Sequence, residues 1–163
     1  VGAEAVGMTT PALLAAKGFG DLPDSLEYLR PVTVGASLGY RVPDARASGD
    51  DHFPNLLQAG VSLQYSLPYL QGNVEYVGLP PVLGRLTPLV EFIYSGPAGT
   101  AFDERPTALL APGFVYTQDG FDVSVEALFP VNHHSGVGVG AMAKVHIPLG
   151  LVAEALGKPL FAN

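Results

Sequence analysis

Cysteine is absent from the 163 residues. That excludes a disulfide framework, a thiol nucleophile and cysteine metal sites, and is compatible with any compartment. Charge is scarce too: only 14% of residues are Asp, Glu, Lys or Arg, against about a quarter in ordinary soluble domains. The eight Lys plus Arg are scattered and form no basic stripe, and with a net charge of −7 they argue against a nucleic-acid partner. Long apolar runs are missing. A membrane-spanning helix needs about 18 to 20 uninterrupted apolar residues, and the best candidate, Ala12 to Ala16, stops at Lys17. The chain opens on Val1 and not on Met, which is compatible with a signal peptide or further strands upstream of these residues.

What is present is hydrophobicity spread thinly. Hydrophobic residues make up 48% of a length that suits one domain, too apolar for a disordered chain. Apolar residues without a spanning helix predict strands. Val32 to Val42 puts Val32, Val34, Ala36, Leu38, Tyr40 and Val42 on one face, against Thr33, Gly35, Ser37, Gly39 and Arg41. Leu57 to Leu67 alternates as cleanly, with Gln58, Gly60, Ser62, Gln64 and Ser66 on its polar side. Leu86 to Ser95 and Thr107 to Thr117 follow, weakened as strands by Pro88 and Pro112. Phe121 to Val131 and Gly136 to Ile147 complete six.

The connections predict antiparallel pairing. Asp119-Gly120 is a two-residue hairpin signal of type I′, with Gln118 facing Phe121 and Gly113 facing Glu126. His133-His134-Ser135 closes on Gly136, which can supply the left-handed residue of a three-residue hairpin. That register sets Asn132 opposite Gly136, Glu126 opposite Met142, Ser124 opposite Lys144 and Asp122 opposite His146. The organisation expected is one β-barrel domain or barrel fragment. Residues 1–31 hold a partial strand at Val1 to Val6 and an irregular connection with a short helix at Pro23 to Leu29. Residues 32–147 form the six-strand meander. Residues 148–163 form a tail, with a short helix at Leu149 to Leu156 ended by Gly157.

The composition of the polar face distinguishes two architectures with inside and outside exchanged. A solvated strand face carries many charged residues. This one offers only Arg41, Glu91, Asp122, Glu126 and Lys144, and is otherwise Gly, Ser, Thr and Gln. Such a face reads as enclosed. The apolar face keeps Tyr40, Tyr65, Tyr94, Tyr116 and Phe121 near strand ends, as an interfacial girdle requires. The fold class expected is therefore all-β: an antiparallel up-and-down meander forming a transmembrane β-barrel. Six or seven strands cannot close where about eight are the minimum, so the chain is expected to be the C-terminal portion of a larger barrel.

The segments "LRPVTVGASLGY", "SLQYSLPYL", "LTPLVEFIYS", "LLAPGFVYTQDGFDVSVEALFPVN" and "GVGVGAMAKVHIPL", followed by "LGKPLF", resemble a family of Gram-negative outer-membrane β-barrel proteins. These are similar to transporter-like barrels associated with aromatic-degradation operons. The resemblance runs from about Leu29 to Phe161 and is carried by strand patterns with a few fixed Pro, Tyr and Glu positions. It implies a porin-like barrel in the outer membrane. The chain departs from the general barrel pattern at its end, where Phe161 is followed by Ala162 and Asn163.

The lumen-facing polar candidates are Arg41, Gln64, Glu91, Glu126, Lys144 and His146. Glu126 and Lys144 are diagonal neighbours across the last hairpin. They read either as a charged constriction that selects solutes or as a network that neutralises itself inside the barrel. His133-His134 and Asp50-Asp51-His52 lack metal-ligand spacing, so no metal and no cofactor are expected. Ser124, Asp122 and His146 share a face as a hydrolase triad does, but no nucleophile elbow accompanies them. The first expectation is a non-enzymatic outer-membrane barrel passing small molecules or serving structurally, with the lipid bilayer as partner. A soluble β-barrel or sandwich binding a lipid-like ligand is the second reading, and an outer-membrane hydrolase the third.

Overall fold

A computed structural model describes residues 7–45, 47–48, 51–99 and 105–148. The expectations for Val1 to Val6 and Leu149 to Leu156 lie outside the described residues. The strands in chain order are β1 (Met8–Thr9), β2 (Ala12–Gly18), β3 (Val32–Pro43), β4 (Ala47–Ser48), β5 (Asp51–His52), β6 (Leu56–Tyr65), β7 (Leu86–Pro97), β8 (Thr107–Gln118), β9 (Phe121–Pro130) and β10 (Gly140–His146). Apart from the small β4-β5 ladder, all join one antiparallel sheet curled into a half-barrel. β1 and β2 lie along the same edge of β3 in one register, Thr9 opposite Val42 and Ala12 opposite Gly39. Pro11, which has no N–H to give the ladder, stands between them.

The alternating segments pair as their periodicity predicts. Gln118 faces Phe121 and Gly113 faces Glu126 across β8 and β9. Across β9 and β10, Glu126 faces Met142, Ser124 faces Lys144 and Asp122 faces His146. A one-residue slip would carry every side chain to the opposite face, so the two-residue period fixes this register. Pro88 and Pro112 are accommodated within continuous strands. The β8-β9 pairing is interrupted between Leu110 and Gly113, where Pro112 has no N–H to donate, and resumes in the same register.

The local geometry departs from expectation at four places. Asp119 does not take a positive φ, and only Gly120 does, at 96°, so the turn is not type I′. Side chains resist the left-handed region, and the hairpin uses the glycine alone. Gly136 has φ 101° but ψ −178°, outside the left-handed helical region, and the preceding residues form a 3-10 turn at His133–Ser135 capped by Asn132. The last strand therefore begins at Gly140 and not at Gly136. β6 ends at Tyr65 because the Ser66 hydroxyl accepts the Tyr69 amide at 3.2 Å and starts a helical turn. Finally, Ala12 to Ala16, met in the sequence as an apolar run, belongs to strand β2.

Six successive antiparallel pairings separate β2 from β10, so the two outermost strands run in the same direction. Among the described residues neither has a second partner strand. The Pro23 to Leu29 region folds as a 3-10 helix at Asp24–Leu29, tied down by Arg30, whose Nε donates to the Leu22 carbonyl at 2.7 Å.

Candidate functional site

The curl decides which face is inside. A trough of about 620 Å³ runs along the concave side. Its floor is Thr33, Gly35, Ser37 and Gly39 of β3, Gln58, Gly60, Ser62 and Gln64 of β6, and Glu91 and Ser95 of β7. These are the polar positions of the alternation. The opposite, convex face carries Val34, Leu38, Val61, Leu63, Phe92, Phe114 and Val125, all exposed. Few large side chains are buried at all: the buried hydrophobic residues among those described are Leu70, Leu89, Ala108 and Ala111. Tyr65, Tyr116 and Phe121 lie at one end of the outer face, Tyr40 and Tyr94 toward the other.

The most deeply buried polar side chain is Glu126, 1% exposed, on the inner face of β9. Its Oε1 receives the Lys144 ammonium at 3.3 Å from the adjacent strand, one diagonal step along. Its Oε2 has no hydrogen-bond partner. Gly113, directly opposite on β8, makes this burial possible. A side chain there would run into the Val125 carbonyl oxygen and stand 2.6 Å from the Glu126 Cγ. Glu91 of β7 stands on the same inner face opposite Ala111, two strands from Glu126 and one diagonal step from the Gly113–Glu126 row. Three strands thus bring two carboxyls and one ammonium together.

The other candidates are dispersed. Gln64 shares the ladder row of Leu89, Gly113 and Glu126, three strands away, and lines the trough. His146 Nδ1 lies 3.2 Å from Asp122 Oδ2 near the hairpin end, and both belong to the inner face. Arg41 lies eight residues along β3 from Thr33, which faces Gln64, a separation of about 26 Å at strand rise. Ser124 stands opposite Lys144, and no hydrogen bond joins it to His146 among the described residues. His133 and His134 are exposed in their turn. Asp50 lies outside the described residues, and no group of three or more His, Asp or Glu converges among the described ones.

Sequence reasoning singled out Gln64 but not Gln58, Ser62 and Ser95, which line the same trough. The signal was the alternation itself, which places them on one face. A second feature it did not single out is the Asn132–Ser135 clasp. Asn132 Oδ1 accepts from the Ser135 amide at 3.0 Å and from its hydroxyl at 2.6 Å, while Asn132 Nδ2 donates to the Pro106 carbonyl at 2.9 Å.

Comparison with protein-family models, curated proteins and solved structures gave no match.

Proposed function

We propose that this chain is part of an outer-membrane β-barrel of a Gram-negative bacterium that lets small polar molecules pass through its lumen. The carrying observation is the sidedness of the sheet: its apolar residues face outward and its buried glutamate faces inward. Burying a large apolar side chain is worth roughly 1.5–3 kcal/mol. A dozen such side chains left half-exposed to water forgo on the order of 10 kcal/mol, comparable to the whole stability of a domain. Lipid removes that cost. It also accounts for the tyrosines near the strand ends.

The lengths of the central strands fit. Twelve residues, as in β3, β7 and β8, rise about 40 Å, or about 30 Å when tilted as membrane strands are. Strand parity supports the larger barrel. Because β2 and β10 are parallel to one another, joining them directly would make a parallel seam, whereas an odd number of further strands between them keeps every pairing antiparallel. A soluble barrel that held a lipid-like ligand would need its apolar side inward, and the sidedness favours the opposite arrangement.

The test is to express the full-length polypeptide, fractionate the envelope and reconstitute the protein in liposomes. The reading expects a detergent-requiring outer-membrane protein that survives carbonate washing and makes the liposomes permeable to small polar solutes. Recovery as a soluble protein without detergent defeats the membrane reading, and tight liposomes defeat the passage reading.

A further inference from the structure

The trough is lined by hydroxyl, amide and apolar side chains, Leu14 and Ile93 among the latter, with one ionisable group among those on its inward face, Glu91. In a narrow passage with low-dielectric walls, an unbalanced fixed charge decides which sign of ion enters. The question is whether any cation on the same face balances it. Lys144 is committed to Glu126 at 3.3 Å, and His146 to Asp122 at 3.2 Å. Arg41 lies six residues along β3 from Gly35, the residue in line with Ser62 and Glu91 across the sheet, and Arg85, which donates to Gln118, lies six residues before Glu91 itself. That is about 20 Å, roughly twice the screening length at physiological salt. The cluster of Glu91, Glu126 and Lys144 therefore presents one carboxyl in excess, and Glu91 is the one on the trough.

We infer that Glu91 gives the lumen a preference for cations, so that the solutes passed are small, cationic or hydroxylated rather than anionic. The inference rests on the passage reading above and adds the sign of its selectivity. Glu126 has a different task. It is covered by the sheet and held by Lys144, so it anchors the β8–β10 wall against which Glu91 lies.

The experiment is the reversal potential of the full-length protein in planar bilayers under a potassium chloride gradient at pH 8. The wild type is expected to favour K⁺ over Cl⁻. Glu91→Gln should lower the permeability ratio by about threefold, the scale of one screened unit charge near the path, and Glu91→Asp should keep most of it. Because the chain has no cysteine, Glu91→Cys can be modified after insertion, which separates charge from folding. A cationic thiol reagent should then turn the preference toward Cl⁻, and an anionic one should restore K⁺. Conductance that is indifferent to Glu91→Gln and to both reagents overturns this inference and leaves the passage reading standing. A wild type that never conducts overturns the passage reading, and this inference with it.

Discussion

Placing a charge on the outer face separates lipid from water as its surroundings. Phe92 lies midway along β7 with Val61 and Leu110 on either side, and is 41% exposed; Phe121, the first residue of β9 beside the two-residue turn, is 38% exposed. The two are matched in side chain, face and exposure and differ only in position along the strands. In a bilayer, arginine at the midplane of a barrel costs about 2–4 kcal/mol and near the interface about 0–1 kcal/mol. Phe92→Arg should therefore destabilise by about 2–3 kcal/mol more than Phe121→Arg, a shift of roughly 30- to 150-fold in the unfolding equilibrium. In water, two exposed positions of equal accessibility should respond within about 0.5 kcal/mol of one another. Guanidinium titrations of the full-length protein in lipid vesicles, followed by far-UV circular dichroism, give the difference. Equal losses in the two variants would refute the argument, whether both are small or both large.

Three further outcomes follow from particular contacts. Lys144→Met should destabilise by about 1–3 kcal/mol, because it strands a carboxylate that is 1% exposed, while Lys144 itself is 55% exposed and partly screened. Adding Glu126→Gln to it should recover much of the loss, and a double variant as unstable as the sum of the singles would contradict the pairing. Asn132→Ala removes the cap and the two hydrogen bonds that Ser135 gives the Asn132 side chain, leaves the contacts of Ser135 with Ala108, and should cost about 1–2 kcal/mol by denaturant titration. Outside the strands, Tyr28 donates to the Glu75 carboxylate at 2.5 Å, and this hydrogen bond and charge hold its phenol above the ordinary value near 10. Because the folded pKa is raised, the tie is fully present below pH about 10 and is lost as pH climbs through the raised value. Absorbance titration near 295 nm should show one late-titrating tyrosine that Tyr28→Phe abolishes.

Much of the sheet was legible because strand alternation is a strict two-residue period. Once Asp119-Gly120 fixed a turn, the pairings of Gly113 with Glu126 and of Asp122 with His146 followed by counting. Elements without alternation were not legible as strands. β2 reads Ala-Leu-Leu-Ala-Ala-Lys-Gly, apolar on both faces, and Leu14 projects to the trough side opposite Ser37, where the pattern elsewhere is polar. Turn conformations were also beyond counting, since the cost of a positive φ at Asp119 is a matter of backbone sterics and not of spacing. For the site, the sequence placed Glu126 beside Lys144 and opposite Gly113, but not the depth of its burial. That depth depends on the missing side chain at Gly113 and on the curl of three strands together.

The sidedness of the sheet can be read directly by placing single cysteines along β6 and β9, at Val61, Ser62, Leu63, Ser124, Val125 and Glu126, and attaching a spin label or fluorophore in the reconstituted full-length protein. The expected result is a strict two-residue alternation, with Val61, Leu63 and Val125 quenched from the lipid phase and Ser62 and Ser124 reached by water-soluble quenchers. Labels at Val61, Leu63 and Val125 shielded from lipid, or an alternation of the opposite sense, would contradict it.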